Sequence, residues 1–419
     1  MLTAPPLERA GLEASVRREL FSAADPDGAP RLGMEVEVVP IVAATARPCP
    51  VEPEPGEGGP ALGAILGGWA RENGGRAVTS RSGLPAYAMP GGGTVSFEPG
   101  GQVEYSSGPR TSLPGLLEEL REFMEPLARR ALDEGVRLLA RGMDPCTKLA
   151  DTQLQAAGER YRRMDAHYGR AGGAGRRMMR QTAALHLNVD LGRRPTERWA
   201  VANALVPCLT ALFANSPRSE GRPTGHRSSR ALQWRTLDPS RTGVQGAEAD
   251  PAAAYLRFAL EADAFLLGPP DRPARAFREW LVDGASAADW RRHLTTLFPE
   301  VRPRGYLELR CFDALPLRWY AAPAAVVCGI LYDDDALSAA LECLPPADAG
   351  ALEVAGRSGL ADPALRARCA TVLDLAGEGL RRLPELGGPA VVGWLEDFRR
   401  SCPDRGLDPG HAPGDDLLS

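Results

Sequence analysis

A chain of 419 residues can bury a large core, as one domain or as two to three smaller ones. Its 49 Lys and Arg against 54 Asp and Glu leave a net charge of −5, which excludes the strongly basic surface of a nucleic-acid coat. Eight cysteines form no CxxC pair, and Cys208 and Cys328 sit in apolar runs, so free buried thiols in a reducing cytoplasm are expected. Pro5, Pro6 and Glu8 stand where a secretory signal carries its apolar core, and the longest apolar run, 321–332, is too short to span a bilayer. With 46 glycines and 38 prolines the chain is rich in both, which predicts long ordered loops or flexible termini.

Residues 7–20 predict a helix that leads into a first strand at Gly33-Met34-Glu35-Val36-Glu37, where Val36, Val38 and Val39 favour extended backbone. Glu35 and Glu37, two residues apart, then share a face. A Pro/Gly/Glu loop over 45–60 and a short helix over 61–72 follow, and 82–108 reads as strands and tight turns. There Glu98 and Glu104 flank Pro99-Gly100-Gly101. A two-residue turn would put them on opposite faces, whereas a three-residue loop pairs Glu98 with Gln102 and brings Glu98, Gln102 and Glu104 together. Read from spacing alone, these four acids are either a metal site, since like charges held together need a cation, or ordinary solvated acids on half-exposed strands.

Leu113, Leu116, Leu117, Leu120, Phe123 and Leu127 recur at helical spacing behind a Ser112 cap, with an interruption expected near Pro126. Gly172-Gly173-Ala174-Gly175 before Arg176 and Arg177 is a flexible loop or a weak phosphate contact through backbone amides. In the strand 183–190, His186, Asn188 and Asp190 share the less apolar face and are expected to line a cavity. A helix over 196–214 precedes an Arg-rich loop carrying Arg218, Arg222, Arg227, Arg230, Arg235 and Arg241, a cluster suited to a small anion. A helix near 249–266 leads to the strand 306–310, whose Tyr306, Glu308 and Arg310 share one face. From about 360 helical runs alternate with Pro and Gly, ending in a loose tail with His411 in a disordered terminus. No Walker A pattern, dinucleotide fingerprint or nucleophile elbow is present.

Eight ordered motifs resemble the glutamate-cysteine ligases, in the branch that supplies γ-glutamylcysteine for ergothioneine in actinobacteria. They are GMEVE (33–37), GGTVSFEPGGQVEYSSGP (92–109), GAGRRMMRQTAALHLNVDLG (173–192), FANSP (213–217), GRPTGHRSSR (221–230), WRTLDPSRTG (234–243), HLTTLFPEVRPRGYLELRCFDALP (293–316) and GILYDD (329–334). The resemblance implies an α+β, glutamine-synthetase-like catalytic domain over 1–345, with a curved, mostly antiparallel sheet forming an active-site funnel and helices behind it. Residues 346–419 would be a helical extension with a flexible tail. The implied reaction is ATP-dependent: glutamate is phosphorylated on its γ-carboxylate and cysteine's amine attacks the acyl phosphate, with Mg²⁺ bridging phosphates and carboxylates.

Carried onto this chain, Glu35, Glu37, Glu98, Glu104 and Glu308 match the acidic metal positions. Arg310 resembles the arginine beside the transferred phosphoryl group and Arg235 one that holds substrate carboxylate. Gln102, His186 and Asn188 fall on the nucleotide side, and Arg230, His226 and Tyr306 on the substrate side. Three positions depart from the branch: His186 replaces Gln, His226 replaces Trp, and Met178-Met179-Arg180 replaces an MMC-like run. These changes leave a ligase for a different amine as the competing expectation.

Overall fold

Alternation of apolar and polar residues makes strands of the stretches that the sequence singles out. The computed structural model describes residues 8–53, 58–170, 172–245, 248–269, 272–411 and 414–418; Pro5, Pro6 and part of the 45–60 loop lie outside them. The strands are β1 (Leu32–Val42), β2 (Arg76–Ala77), β3 (Tyr87–Ala88), β4 (Thr94–Phe97), β5 (Val103–Ser106), β6 (Val136–Leu139), β7 (Ala184–Asp190), β8 (Arg218–Ser219), β9 (Arg222–Pro223), β10 (Val301–Pro303) and β11 (Tyr306–Asp313). Nine of them form one sheet in the order β10-β11-β7-β1-β5-β4-β3-β2, with β6 also paired to β1, while β8 and β9 form a small hairpin. All these pairings are antiparallel.

The expected curved sheet forming an active-site funnel is corrected: the sheet is neither curved nor closed into one. The sheet is open, with β10 and β2 as its edges. Closure would need those edges to pair, yet β2 is two exposed residues long and β10 three. The concavity above the sheet is instead walled by helices Glu159–Gly169, Ala174–Gln181 and Ser229–Leu237 and by the loop 78–82.

The other face carries the core. Helices Leu113–Asp133, Pro195–Leu212 and Ala321–Leu331 pack behind β1, β11 and β7, and Pro363–Arg382 and Gly388–Ser401 pack on Ala321–Leu331 in turn. One buried apolar cluster runs from Leu12 to Leu417, so residues beyond 346 share it. Truncating a fully buried member such as Leu120 to Ala should cost about 2–5 kcal/mol.

Local expectations fare unevenly. Ser112 Oγ caps the helix by accepting from Gly115 N at 3.3 Å, but the helix runs unbroken through Pro126. Proline removes one donor, and the buried stripe Leu120, Met124, Leu127 and Ala131 holds the turn regardless. The Arg-rich segment is only partly loop: β8 and β9 pair, and Ser229–Leu237 is a helix capped by Ser228. Residues 414–418 are docked, since Leu417 is buried and its N–H donates to Leu138 O at 2.9 Å while Asp415 meets Arg141 at 2.7 Å. His411 contacts Asp408 and Arg227. All eight cysteines are free; Cys146 and Cys343 are exposed and the rest buried. No described helix is long and apolar enough to cross a membrane.

Candidate active site

Sheet register brings the acids together. Glu37 lies opposite Glu104, Glu35 opposite His186, and Asn188 opposite Glu308. At the β4–β5 turn Glu98 N donates to Gln102 O at 2.9 Å and Gly101 N to Glu98 O at 2.9 Å. That is the three-residue loop, with Gly101 at φ +92, a conformation glycine adopts without a Cβ penalty. Glu98 therefore turns to the face of Glu104, and both line a cavity of about 700 Å³ with Glu35, Glu37, His186, Glu308 and Arg310.

The carboxylates divide into two groups. Glu308, fully buried, is gripped by Arg302 through Nε and, at 2.9 Å, Nη2, with Arg304 and Arg310 each 3.4 Å away. Burial opposes its ionisation, but Arg302 and then Arg310 hold its carboxyl well below the usual range. Glu35 accepts from His186 Nδ1 at 3.0 Å and Asn188 Nδ2 at 3.1 Å. Despite burial, these partners keep it below the ordinary value. Burial, then Arg310, pushes His186 down to about 4, so the ring is neutral with its proton on Nδ1. Its buried Nε2 has no hydrogen-bond partner among the described residues and lies 3.9 Å from Glu37 Oε1.

Glu37, Glu98 and Glu104 behave oppositely. Burial first and Glu104 second push Glu37 up to about 8, although Ala184 N donates to its Oε2 at 2.8 Å. Burial and Glu37 push Glu98 up to about 7. Burial and Glu98 raise Glu104 well above the usual range, against the help of Ser106 Oγ at 2.9 Å. Each triad, Glu37-Glu98-Glu104 and Glu35-His186-Glu308, offers ligand atoms within 4.8 Å of one another. Clustered carboxylates beside a fixed set of guanidinium groups suit metal-assisted chemistry on an anionic substrate.

Residues 31–390 match the family described as glutamate-cysteine ligase family 2 (GCS2). The chain belongs to this family, and it is a ligase. It is 35% identical over 318 residues to the glutamate-cysteine ligase EgtA of Mycobacterium tuberculosis, covering 71% of this chain and 72% of that one. With EgtA of Mycolicibacterium smegmatis the identity is 36% over 312 residues, 69% and 72% of the two chains. With the chloroplastic glutamate-cysteine ligase of Arabidopsis thaliana it is 32% over 314 residues, 69% and 60%. Among solved structures, the glutamate-cysteine ligase of Francisella tularensis in complex with AMP superposes with a TM-score of 0.54 at 13% identity, over 93% of this chain and 84% of that one. At that identity the likeness is one of fold.

Within the ligase, the sequence-predicted residues separate. Arg230 is 1% exposed, stacks 4.7 Å from the Trp234 ring and donates to Arg310 O at 2.6 Å. Gln102 reaches the cavity wall, but its amide serves the backbone: Gly100 N donates to Oε1 at 3.1 Å and Nε2 donates to Thr182 O at 2.7 Å. Asn188 stands behind Glu35, outside the lining.

Arg235, His226 and Tyr306 also lie outside the lining. Arg235, expected to hold substrate carboxylate, has its guanidinium paired with Glu353 and turned to Leu352 O on the helix Ala349–Arg357. His226 does not close over the cavity; its Nδ1 sits 3.3 Å from Thr224 O in its own turn. Tyr306 pairs with Asp190 at the far end of β11, under the Arg304 guanidinium. Of the Arg-rich cluster only Arg230 reaches the site, while Arg241, fully buried, binds Asp238 and the carbonyls of Asp263 and Thr296. Arg176 and Arg177 pair with Asp165 and Glu220, away from the cavity.

Sequence reasoning missed Arg302, Arg304, Arg160, Tyr161, Trp234 and Phe298, all in the lining. Arg302 was findable. Arg304-Gly305 is a hairpin signal between two extended runs, and that turn, with Gly305 at φ +75, sets Arg302 opposite Glu308.

Proposed function

We propose that the ligase joins the γ-carboxylate of L-glutamate to the amine of L-cysteine with ATP, through γ-glutamyl phosphate, giving γ-glutamylcysteine, ADP and phosphate in the cytoplasm for ergothioneine biosynthesis. The supporting observation is the split of one sheet face into the clustered carboxylates Glu37, Glu98 and Glu104 and the arginine-bound Glu308. Phosphoryl transfer needs positioned charge far more than a side-chain nucleophile.

The residues present fit Mg²⁺. Three clustered carboxylates, whose mutual repulsion outweighs the pull of Arg230 and Arg310, and Nε2 of His186 beside Glu37 are hard oxygen donors and one neutral nitrogen. Glu37, Glu98 and Glu104 would hold the ion, with Glu35, His186 and Glu308 as the neighbouring set. Bound there, Mg²⁺ supplies positive charge that offsets the carboxylates and orients phosphate oxygens. Arg310, beside the rings of Trp234 and Phe298 at 5.7 and 6.0 Å, presents its guanidinium to the transferring phosphoryl group. Glu308 keeps Arg302, Arg304 and Arg310 gathered around one point. Arg81, Arg160, Arg291 and Arg304 are the further lining cations for the carboxylates of the amino-acid substrates.

Cysteine is favoured over another amine by where the departures from the branch fall. His226 stands outside the cavity, Arg180 is turned to Asp165, and His186 faces carboxylates. Residues 1–345 are assigned as the catalytic unit and 346–419 as its helical extension, supported by the packing of Pro363–Arg382 on Pro195–Leu212 and Ala321–Leu331. Incubation with ATP, Mg²⁺, glutamate and a panel of amines, read by mass spectrometry, tests the reading. A γ-glutamylcysteine product is expected; a product with another amine replaces cysteine, and no product overturns the reaction.

A further inference from the structure

β11 leaves its register with β7 between Leu309 and Phe312. A shift of this kind bends a strand, re-aims a side chain and takes backbone groups out of the ladder. Arg310 sits on it. Its N–H donates to Glu300 O at 2.8 Å, and its carbonyl accepts from Arg230 Nη2 at 2.6 Å. The side chain that supplies this last bond is itself anchored from behind: Arg230 N donates to Ser216 Oγ at 3.2 Å, and that hydroxyl donates to Asp313 Oδ2 at 2.7 Å.

Asp313 is 1% exposed, lies three residues beyond Arg310 on the same strand, and is outside the cavity lining. Asn215 N also donates to its Oδ2 at 2.7 Å, and Ser228 Oγ to its Oδ1 at 2.8 Å. Three donors from two separate segments, 215–216 and the cap of helix Ser229–Leu237, thus converge on one buried carboxylate. A buried carboxylate is retained at a cost unless its acceptors are filled in this way.

We propose that Asp313 is a positioning residue for the ligase reaction. By gathering Asn215, Ser216 and Ser228 it sets Arg230, and through Arg230 it holds the irregular stretch of β11 that aims Arg310 into the cavity. The inference rests on the reading of Arg310 as the cation facing the transferring phosphoryl group.

Steady-state kinetics of Asp313→Ala, Asp313→Asn and Arg310→Ala, with ATP, Mg²⁺, glutamate and cysteine, test it alongside melting curves that score the folded fraction. Misaiming one group by about 1 Å costs on the order of 100-fold, so Asp313→Ala should lower kcat per folded molecule by about 10- to 100-fold. KM for ATP and for glutamate should stay within about twofold, because the lost interaction belongs to the transition state. Asp313→Asn, which keeps the volume and one acceptor oxygen, should recover most of kcat. If Asp313→Ala does not fold, Ser216→Ala removes the one hydroxyl between Asp313 and the Arg230 N–H, and should lower kcat severalfold with KM unchanged. Unchanged kcat in the folded variant beside an inactive Arg310→Ala overturns the role of Asp313. Normal turnover in Arg310→Ala overturns the reading of Arg310 on which it rests.

Discussion

Glu308 and Glu104 project from the same sheet face into the same cavity, yet one is held ionised and the other is driven toward its neutral form. Desolvation opposes the charge of both, although Glu308 is fully buried and Glu104 only half-buried. The difference is company: Glu308 meets three guanidinium groups, whereas Glu104 meets Glu98. One region pairs its carboxylate with guanidinium groups, and the other sets carboxylates against one another. The two are held side by side by neighbouring strands, which is what a site acting on a metal-bound polyphosphate requires.

The largest expected effect comes from altering the carboxylate cluster. Glu104→Gln keeps the shape and removes a charge, so turnover should fall on the order of 100-fold or more. In metal-free buffer the same variant should melt at or above the temperature of the parent, since a repulsion is gone, and added Mg²⁺ should raise its melting temperature less. A variant with near-normal turnover, or a parent whose melting ignores Mg²⁺, would break the contrast.

Next is the arginine-paired region. Arg302→Ala strands Glu308 as a buried charge missing its bidentate partner, a loss of about 3–5 kcal/mol in urea unfolding. Equal destabilisation by Arg302→Ala and Glu104→Gln would mean that the two regions do not differ as described. Smaller still, Arg310→Lys retains charge but not the planar fork, and kcat should drop by about tenfold. Unchanged kinetics in both ATP and glutamate would remove Arg310 from the phosphoryl group.

His186 joins the regions, and it can be probed by two substitutions. His186→Gln restores the residue of the branch and a donor to Glu35, so much activity should survive, whereas His186→Leu deletes both polar positions and should lose it. Equal activities would leave His186 as packing. The smallest effect uses a buried histidine outside both regions. His293 donates to Ala259 O at 2.7 Å, stacks on Phe277, and is pushed by burial from 6.5 down to about 3. A base whose folded pKa is depressed stabilises fully above its unfolded pKa, and that contribution drains away as pH falls from 6.5 toward 3. His293→Gln does not titrate, so its melting temperature should decline less steeply than the parent's below pH 6.5; parallel curves would refute the assignment.

The carboxylates were legible because strand periodicity is local: Glu35 and Glu37, two apart in a regular strand, share a face whatever the rest of the chain does. Glu98 was legible as a choice between two loops, and the bond from Glu98 N to Gln102 O decided it. The arginines were not legible in the same way. Arg235 and Arg230 are five residues apart in one segment, yet one faces Glu353 and the other the carbonyl of Arg310. Helix Ser229–Leu237 presents opposite sides to different neighbours, and only its docking says which side meets the site.

From its residue pattern alone the chain determined the strands, the faces of their acids and the family motifs, all of which depend on spacing within about ten residues. Tertiary structure decided that the sheet stays open, that Pro126 is absorbed into a helix, that residues 414–418 dock on β6, and which guanidinium groups reach which carboxylates. Those outcomes rest on pairings between segments far apart in the sequence, where register, burial and the satisfaction of each buried charge select one partner among many.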